Sequence, residues 1–483
     1  MKSSKVKTIA FFGVLFLMST NITGQTVVEE QAQAVNIDDF ITEMMKLHEI
    51  PGLALGIVKN GRILHEEYYG IANIEHSVPV NEHSLFRIYS TTKLIVNTAV
   101  FQLINQRRLF LNDPISKYTK VVPPQWKNIK IRHLLAHTSG IPNFIQFDSA
   151  LSDEAIQEKL NNLPLDFPTG TKHDYNQTNY WLLAKIIETV SGGTLEDYIR
   201  TNLFENKEGV LFSSNSSLVI PNRISKYRYD FQHETYRTFS DEQPSRGLAG
   251  NGLNITLKNL IHWSQQLNQD HYFSEKTKEV MWQPFQYSKT DYKFLHGWAI
   301  YPLNEIESYG FTGGGVSAIR FFPEQNLAII LMTNGYKYYP IHNDIINNIS
   351  GFLEKDLMSQ SVQTSLQLAN AFIKNGQFNT DRAISIAKSV VKRKELEGLL
   401  NNLGYQLINQ KQYKKGIAIF EANVKEFPES ANVYDSLAEA YLYVDQYDKA
   451  IGNYKKSLKF NPNNGNAKKM IERINERLNS LKQ

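Results

Sequence analysis

Two strand-like stretches frame a long helical middle. PGLALGIVKNGRILHEEYYG, residues 51–70, reads as a strand, a turn and a second strand. Asn60-Gly61 between apolar runs predicts a tight hairpin, because a type I′ turn needs positive φ at both central residues. His65-Glu66-Glu67 falls in the second strand and reads as an exposed face. SYGFTGGGVSAIRFFPEQNLAIILMTN, residues 308–334, reads as three strands. They break at Gly313–Gly315 and at Pro323-Glu324-Gln325-Asn326. Between these ends, apolar positions recur at helical spacing over Ser90–Gln106, Ile131–Leu135, Asn179–Val190 and Leu257–Leu267. The pattern predicts an α/β fold in which both strand regions form one antiparallel sheet and the helical middle packs against it.

Beyond about residue 355 the strand patterns stop and a period appears. Leu403 recurs as Leu437, Tyr413 as Tyr447, Ile417 as Ile451, Phe420 as Tyr454 and Pro428 as Pro462, each pair 34 residues apart. That period is the mark of tetratricopeptide (TPR)-like helix–turn–helix units. Residues 366–396 read as a degenerate further unit and 464–482 as a charged capping helix. The expected organisation is a leader over 1–24, an N-terminal segment over 25–36, a strand-and-helix domain over 37–355, a linker over 356–364 and helical repeats over 365–483.

The leader is read from MKSSKVKTIAFFGVLFLMSTNITGQ. Lys2, Lys5 and Lys7 precede an apolar run from Ile9 to Met18, and small and polar residues follow. This is the layout of a bacterial secretory signal peptide, with cleavage expected after Gly24 and a periplasmic or secreted destination. No other run approaches the ~18 apolar residues of a spanning helix, so no membrane association is expected after cleavage. The chain has no cysteine, which excludes disulfides, thiolate metal sites and a cysteine nucleophile. Loss of the three leader lysines takes the formal charge from +4 to +1. A near-neutral chain gives no electrostatic reason to expect nucleic acid as a partner.

The candidate chemistry begins in FRIYSTTKLIVNTAV, residues 86–100. Lys93 interrupts an apolar helical stripe of Leu94, Ile95, Ala99, Val100, Leu103 and Ile104, and Ser90 lies on the same helix face. Two readings stand. Ser90 is a nucleophile whose proton passes to Lys93, or Ser90 is an N-cap and Lys93 an exposed first-turn residue. The first requires burial, since desolvation lowers a lysine pKa until the amine can accept a proton. Ser-x-x-Lys alone is weak evidence, because it also starts at Ser4, Ser385 and Ser389. Tyr175-Asn176-Gln177 precedes a helix as a site wall or as a capping loop. YGFTGGGVS, residues 309–317, offers backbone N–H groups for an oxyanion or marks a bulge. His137 and Ser139 in IRHLLAHTSGIP read as parts of a terminating turn. Gly-x-Ser-x-Gly and His-Glu-x-x-His are both absent from the sequence.

Taken in order, several motifs resemble those of class C β-lactamase-type serine hydrolases, a family that includes penicillin-binding-protein-like D-alanyl-D-alanine carboxypeptidases, D-aminopeptidases and esterases. They are FRIYSTTK, LFLNDPISKY, IRHLLAHTSGIP, DYNQTNYWLLAKIIE, GNGLNIT and YGFTGGG, spread over roughly residues 37–355. The resemblance implies an acyl-enzyme at Ser90, proton transfer by Lys93 and Tyr175, and an oxyanion hole from the backbone N–H groups of Ser90 and Gly314. It places Gln177, Phe311, Thr312 and Gly313 on the substrate, and it implies no metal or organic cofactor. Two positions depart from the family pattern. Gln177 stands where an asparagine is usual and reaches one methylene further. Phe311 stands where a basic or polar residue is usual, and it cannot hold a substrate carboxylate. An apolar, uncharged acyl group suits Phe311 better than a β-lactam or a peptide ending in a carboxylate. Tyr89 and Trp298 are candidates to extend such a pocket.

Three functions follow. The leading one is a secreted serine hydrolase acting on a small-molecule or peptide-like ester or amide. The second is a weakened hydrolase scaffold that binds a ligand or cell-wall fragment. The third places the function in the TPR-like region, as a docking site for a protein partner.

Overall fold

The computed structural model describes residues 37–480 except 120–122, 231–232, 338–340, 360–361, 364–379, 391–392, 410 and 463. The expected leader, the segment 25–36, part of the expected linker and much of the degenerate repeat unit lie outside the described residues.

Strands apolar on both faces need cover on both sides. Strand β1 (Gly52–Lys59) is such a strand, buried along almost its whole length. After the Asn60-Gly61 turn, both residues of which have positive φ, the chain returns as β2 (Arg62–Asn73) and the short β3 (Val78–Pro79). The second strand region supplies β4 (Ala299–Leu303), β5 (Ile306–Gly313), β6 (Ser317–Phe322) and β7 (Leu327–Thr333). They form one seven-stranded sheet in the order β3-β2-β1-β7-β6-β5-β4. Antiparallel pairing of β1 with β7, from Leu53 opposite Thr333 to Lys59 opposite Leu327, joins the two distant parts of the chain.

Alternation along the central strands divides the core. Ala54, Val58, Ala328, Ile330 and Met332 face a cluster built with helices α1 (Thr92–Asn105), α2 (Gln177–Ser191) and α3 (Leu257–Asn268). Leu53, Leu55, Ile57, Ile329 and Leu331 face the opposite cluster, with the helical residues 37–48 and α4 (His342–Leu353). Gly56 lets α3 approach the sheet, since a Cβ there would lie 2.8 Å from the Ile261 side chain.

Helix α1 is buried on more than the one stripe its sequence suggests. Lys93, Asn97 and Thr98 are as buried as Leu94 and Ile95. Asn97 is satisfied by the Gly297 carbonyl at 2.7 Å and the Tyr180 hydroxyl at 2.8 Å. Two sequence expectations are corrected. His65 is buried rather than on an exposed face, 2.9 Å from the Tyr69 hydroxyl. Trp298 belongs to the core, fully buried and stacked on Trp263.

The C-terminal region is helical: Arg393–Asn409, Tyr413–Glu426, Ala431–Leu442, Tyr447–Phe460 and Gly465–Ser480. Helices Tyr413–Glu426 and Tyr447–Phe460 begin and end 34 residues apart, and the matched Phe420 and Tyr454 are both fully buried. Leu396, Leu400, Leu403, Leu407 and Ile419 share the apolar cluster of the outer sheet face with Ile345 and Ile349 of α4. The helical region is thus packed onto the outer face of the sheet.

Candidate active site

Ser90 lies in a short 3₁₀ turn, Tyr89–Thr91, that runs directly into α1. The sequence placed it at the first position of an α-helix. The tighter turn sets it two residues before the first α-helical residue, Thr92, and leaves it half-buried. Tyr89, immediately upstream, takes φ +47°, a left-handed conformation that a bulky residue adopts only when its surroundings impose it. The turn is clamped from the sheet side: Ser317 Oγ donates to the Ile88 carbonyl at 2.7 Å and pairs with Thr91 Oγ1 at 2.8 Å.

Lys93 follows one helical turn later and is fully buried. Its Nζ donates to the Gly250 carbonyl at 2.7 Å and to Gln177 Oε1 at 3.1 Å. It also lies 4.8 Å from the centre of the Tyr175 ring. Desolvation of the ammonium pushes its pKa well below the ordinary lysine value. A neutral amine in this position gives both N–H groups to the two oxygens and keeps its lone pair for a proton. Ser90 Oγ receives its hydrogen bond from Tyr175 instead, at 2.9 Å. Burial raises the Tyr175 pKa to about 12, against the opposing hydrogen bonds with Ser90 and Gln177. Tyr175 is therefore a phenol at neutral pH and can donate.

The Tyr175 ring is held between His137, 4.6 Å away between centroids, and Phe311, stacked at 6.0 Å. The sequence read His137 as part of a structural turn. It is a fully buried support for Tyr175, and its Nδ1 accepts from the Asn176 N–H at 3.1 Å. Burial, with Lys93 as the next cause, keeps it neutral by pushing its pKa well down. Ser139 fixes the same loop by donating to Asn179 Oδ1 at 2.7 Å.

The Tyr-Asn-Gln departure has a local explanation. Asn176 is the N-cap of α2: its Oδ1 accepts from the Thr178 N–H at 2.7 Å, and its Nδ2 donates to the Ile141 carbonyl. Its amide is committed to structure, and the longer Gln177 reaches Lys93. Gly250, within the GNGLNIT stretch, was given no role by the sequence. A Cβ there would lie 2.2 Å from Gln177 Oε1, so any side chain at this position displaces the Gln177 amide.

The end of β5 closes the site. A Cβ on Gly313 would lie 2.2 Å from the Ile88 carbonyl oxygen and 2.8 Å from the Thr91 nitrogen, so the bare backbone lies against the Ser90 turn. Gly314 has φ +56°, and a Cβ there would meet the Tyr89 ring at 2.6 Å. Strand alternation turns Thr312 away from Phe311. Thr312 Oγ1 accepts from Arg320 Nη2 at 2.8 Å, with Asn343 Oδ1 at 3.4 Å. Arg320 is fully buried and donates to the Phe311 carbonyl as well. This Thr312–Arg320–Asn343 cluster carried no signal in the sequence. Ser90, Lys93, Tyr175, Gln177 and Phe311 thus form one connected group, Gly313 and Gly314 adjoin its turn, and Thr312 belongs to the neighbouring cluster. Among the described residues no group of three or more His, Asp or Glu side chains is placed to hold a metal ion.

Comparison with known proteins agrees with this fold. The sequence profile of the family described as Beta-lactamase matches residues 37–348. Penicillin-binding protein 4* of Bacillus subtilis is 28% identical over 315 residues, covering 59% of this chain and 68% of the relative. The solved penicillin binding protein from Bacillus halodurans superposes with a TM-score of 0.55 at 22% identity, covering 64% of this chain and 98% of that one. EstCE1, a hydrolase with promiscuous acyltransferase activity, superposes with a TM-score of 0.57 at 17% identity, covering 68% and 99%.

Proposed function

The chain belongs to the beta-lactamase family of serine hydrolases, and from that premise we propose that it is a secreted or periplasmic hydrolase acting through an acyl-enzyme on Ser90. The substrate class is an ester or amide with an apolar, uncharged acyl group. The observation that carries the reading is the hydrogen bond from Tyr175 to Ser90 Oγ at 2.9 Å, beside a fully buried Lys93.

In this reading Ser90 Oγ attacks the carbonyl carbon. Its proton passes through the Tyr175 hydroxyl, with the Lys93 lone pair as the acceptor that makes the transfer favourable. The N–H groups of Ser90 and Gly314 hold the oxyanion. The C–O or C–N bond breaks, and the leaving alcohol or amine takes the proton back. Water then adds to the acyl-enzyme, the acid departs, and Ser90 regains its hydrogen. Phe311, stacked on Tyr175, gives the acyl group an apolar wall and offers nothing to a carboxylate.

A second reading, ligand binding without turnover, has one observation in its favour: Gln177 Oε1 accepts a Lys93 N–H at 3.1 Å. Intact mass after exposure to a fluorophosphonate, with Ser90→Ala alongside, separates the two. One adduct on the wild type that is missing from the variant supports the hydrolase, and a screen of short acyl esters follows. Folded protein that takes no adduct supports the binding reading.

A further inference from the structure

Tyr89 also lines a cavity of about 960 Å³. Neither Ser90 nor Tyr175 lines it. Its walls carry three cations, Arg87, Arg223 and Lys226, and two carboxylates, Asp241 and Glu242. The two arginines are fixed chiefly by carbonyls. Arg87 donates to the carbonyls of Asn251 at 3.0 Å and Asp241 at 2.7 Å, and Arg223 donates to those of Asn215 at 2.7 Å and Ser216 at 2.9 Å. Those bonds orient the guanidinium groups and leave their charge unneutralised. Glu242 accepts from Ser216 Oγ at 3.0 Å.

Lys226 is different. Its ammonium lies 3.9 Å from the centre of the Tyr89 ring and 4.6 Å from that of Phe239. Among the described residues its Nζ has no hydrogen bond and no ion pair. Aromatic faces favour a cation without satisfying its three N–H donors. A half-buried ammonium without an acceptor is costly, and an incoming oxyanion removes that cost by forming a charge-assisted hydrogen bond. Asp241 acts on Lys226 electrostatically without forming an ion pair with it. Ser213, whose hydroxyl accepts from the Asn215 N–H, adds a hydroxyl donor, and Ile224 and Phe239 add apolar wall. The volume is far larger than one ion needs and falls in the range of small-molecule sites.

We infer that this cavity binds a small molecule with an anionic head, carboxylate or phosphate, on Lys226 and an apolar body against Phe239 and Ile224. Neither Ser90 nor Phe311 lines the cavity; Tyr89, whose ring forms part of its wall, leads by its backbone into Ser90.

Titration calorimetry on the full chain tests it, with hexanoate and hexyl phosphate as the two anionic probes and hexanamide as the neutral one. At least one anion binds the wild type at one-to-one stoichiometry, and which one binds assigns the head group. Hexanamide binds at least about tenfold more weakly, the loss expected for a missing charge-assisted hydrogen bond. Lys226→Gln weakens anion binding to the same extent, Lys226→Arg stays within about threefold, and the exposed Lys258→Gln has no effect. The inference is overturned if neither anion binds the wild type, if hexanamide binds as well as the anions, or if Lys226→Gln binds like the wild type. Should Lys226→Gln fail to fold, the wild-type and neutral-probe measurements still decide. None of these readouts depends on Ser90, so the hydrolase reading can fail separately.

Discussion

Gly250→Ala tests the proton path without touching a group that reacts. A Cβ at Gly250 would lie 2.2 Å from Gln177 Oε1 and 3.2 Å from Lys93 Nζ, whereas ordinary contact begins at 3.4 Å. The Gln177 amide must therefore retreat by about 1.2 Å, the difference between those two distances, and its 3.1 Å bond to Lys93 is lost. A misplacement of about 1 Å in a positioned catalytic group costs on the order of 100-fold in rate. Stability moves little. Losing a hydrogen bond to a buried amine costs about 1–3 kcal/mol. Alanine recovers up to about 1 kcal/mol over glycine in the short helix Leu248–Asn251. The assay is the pseudo-first-order rate of fluorophosphonate labelling, followed by intact mass, with a thermal melt on the same sample. Gly452→Ala is the control, since nothing lies within 4 Å of a Cβ there. A Gly250→Ala protein that melts near the wild type and labels at the wild-type rate would refute the role given to the Gly250–Gln177–Lys93 contact.

Other outcomes follow from the same contacts. Tyr175→Phe keeps the stack between His137 and Phe311 but removes the donor to Ser90, and its labelling rate is expected to fall by about 10²–10⁴ with an unchanged melt. Phe311→Ala removes the apolar wall and is expected to raise KM for apolar acyl esters by about tenfold or more, with a smaller change for acetyl esters. The depressed Lys93 pKa gives a pH signature of known sign. Between that depressed value and the unfolded value near 10.5 the unfolded chain binds the extra proton, so stability rises with pH across this window and the term is lost below it. Urea midpoints measured against pH should climb more steeply in the wild type than in Lys93→Met, and parallel curves would contradict the burial argument. Removing residues 356–483 uncovers the outer cluster at Ile345 and Ile349. The truncated chain is expected to melt several degrees lower while labelling Ser90 at an undiminished rate per folded molecule; an unchanged melt would argue against packing of the C-terminal helices on the sheet.

Local chemistry made much of this molecule legible in the sequence. Asn60-Gly61 read as a tight turn, and the two strand regions read as one antiparallel sheet with the helical middle packed against it. The apolar residues around Lys93 left its burial as one of two readings, and Ser90 and Tyr175 were visible as candidates. The 34-residue period appeared because matched positions carry matched side chains. What the sequence left open depended on which distant segments meet. His65 has the polarity of a surface residue, yet the Tyr69 hydroxyl gives it a buried partner. Trp298 could as well have faced a pocket as the core, and Trp263 draws it inward. Nothing around Gly250 announces that its carbonyl and its missing Cβ both serve Lys93, 157 residues earlier. Arg320 gave no sign that it would lie under Phe311 and Thr312. Each of these depends on a contact between segments far apart in the chain. Periodicity reports which face of an element is apolar; the tertiary fold alone decides which polar group arrives on the other side, and in this site those arrivals set where the proton can go.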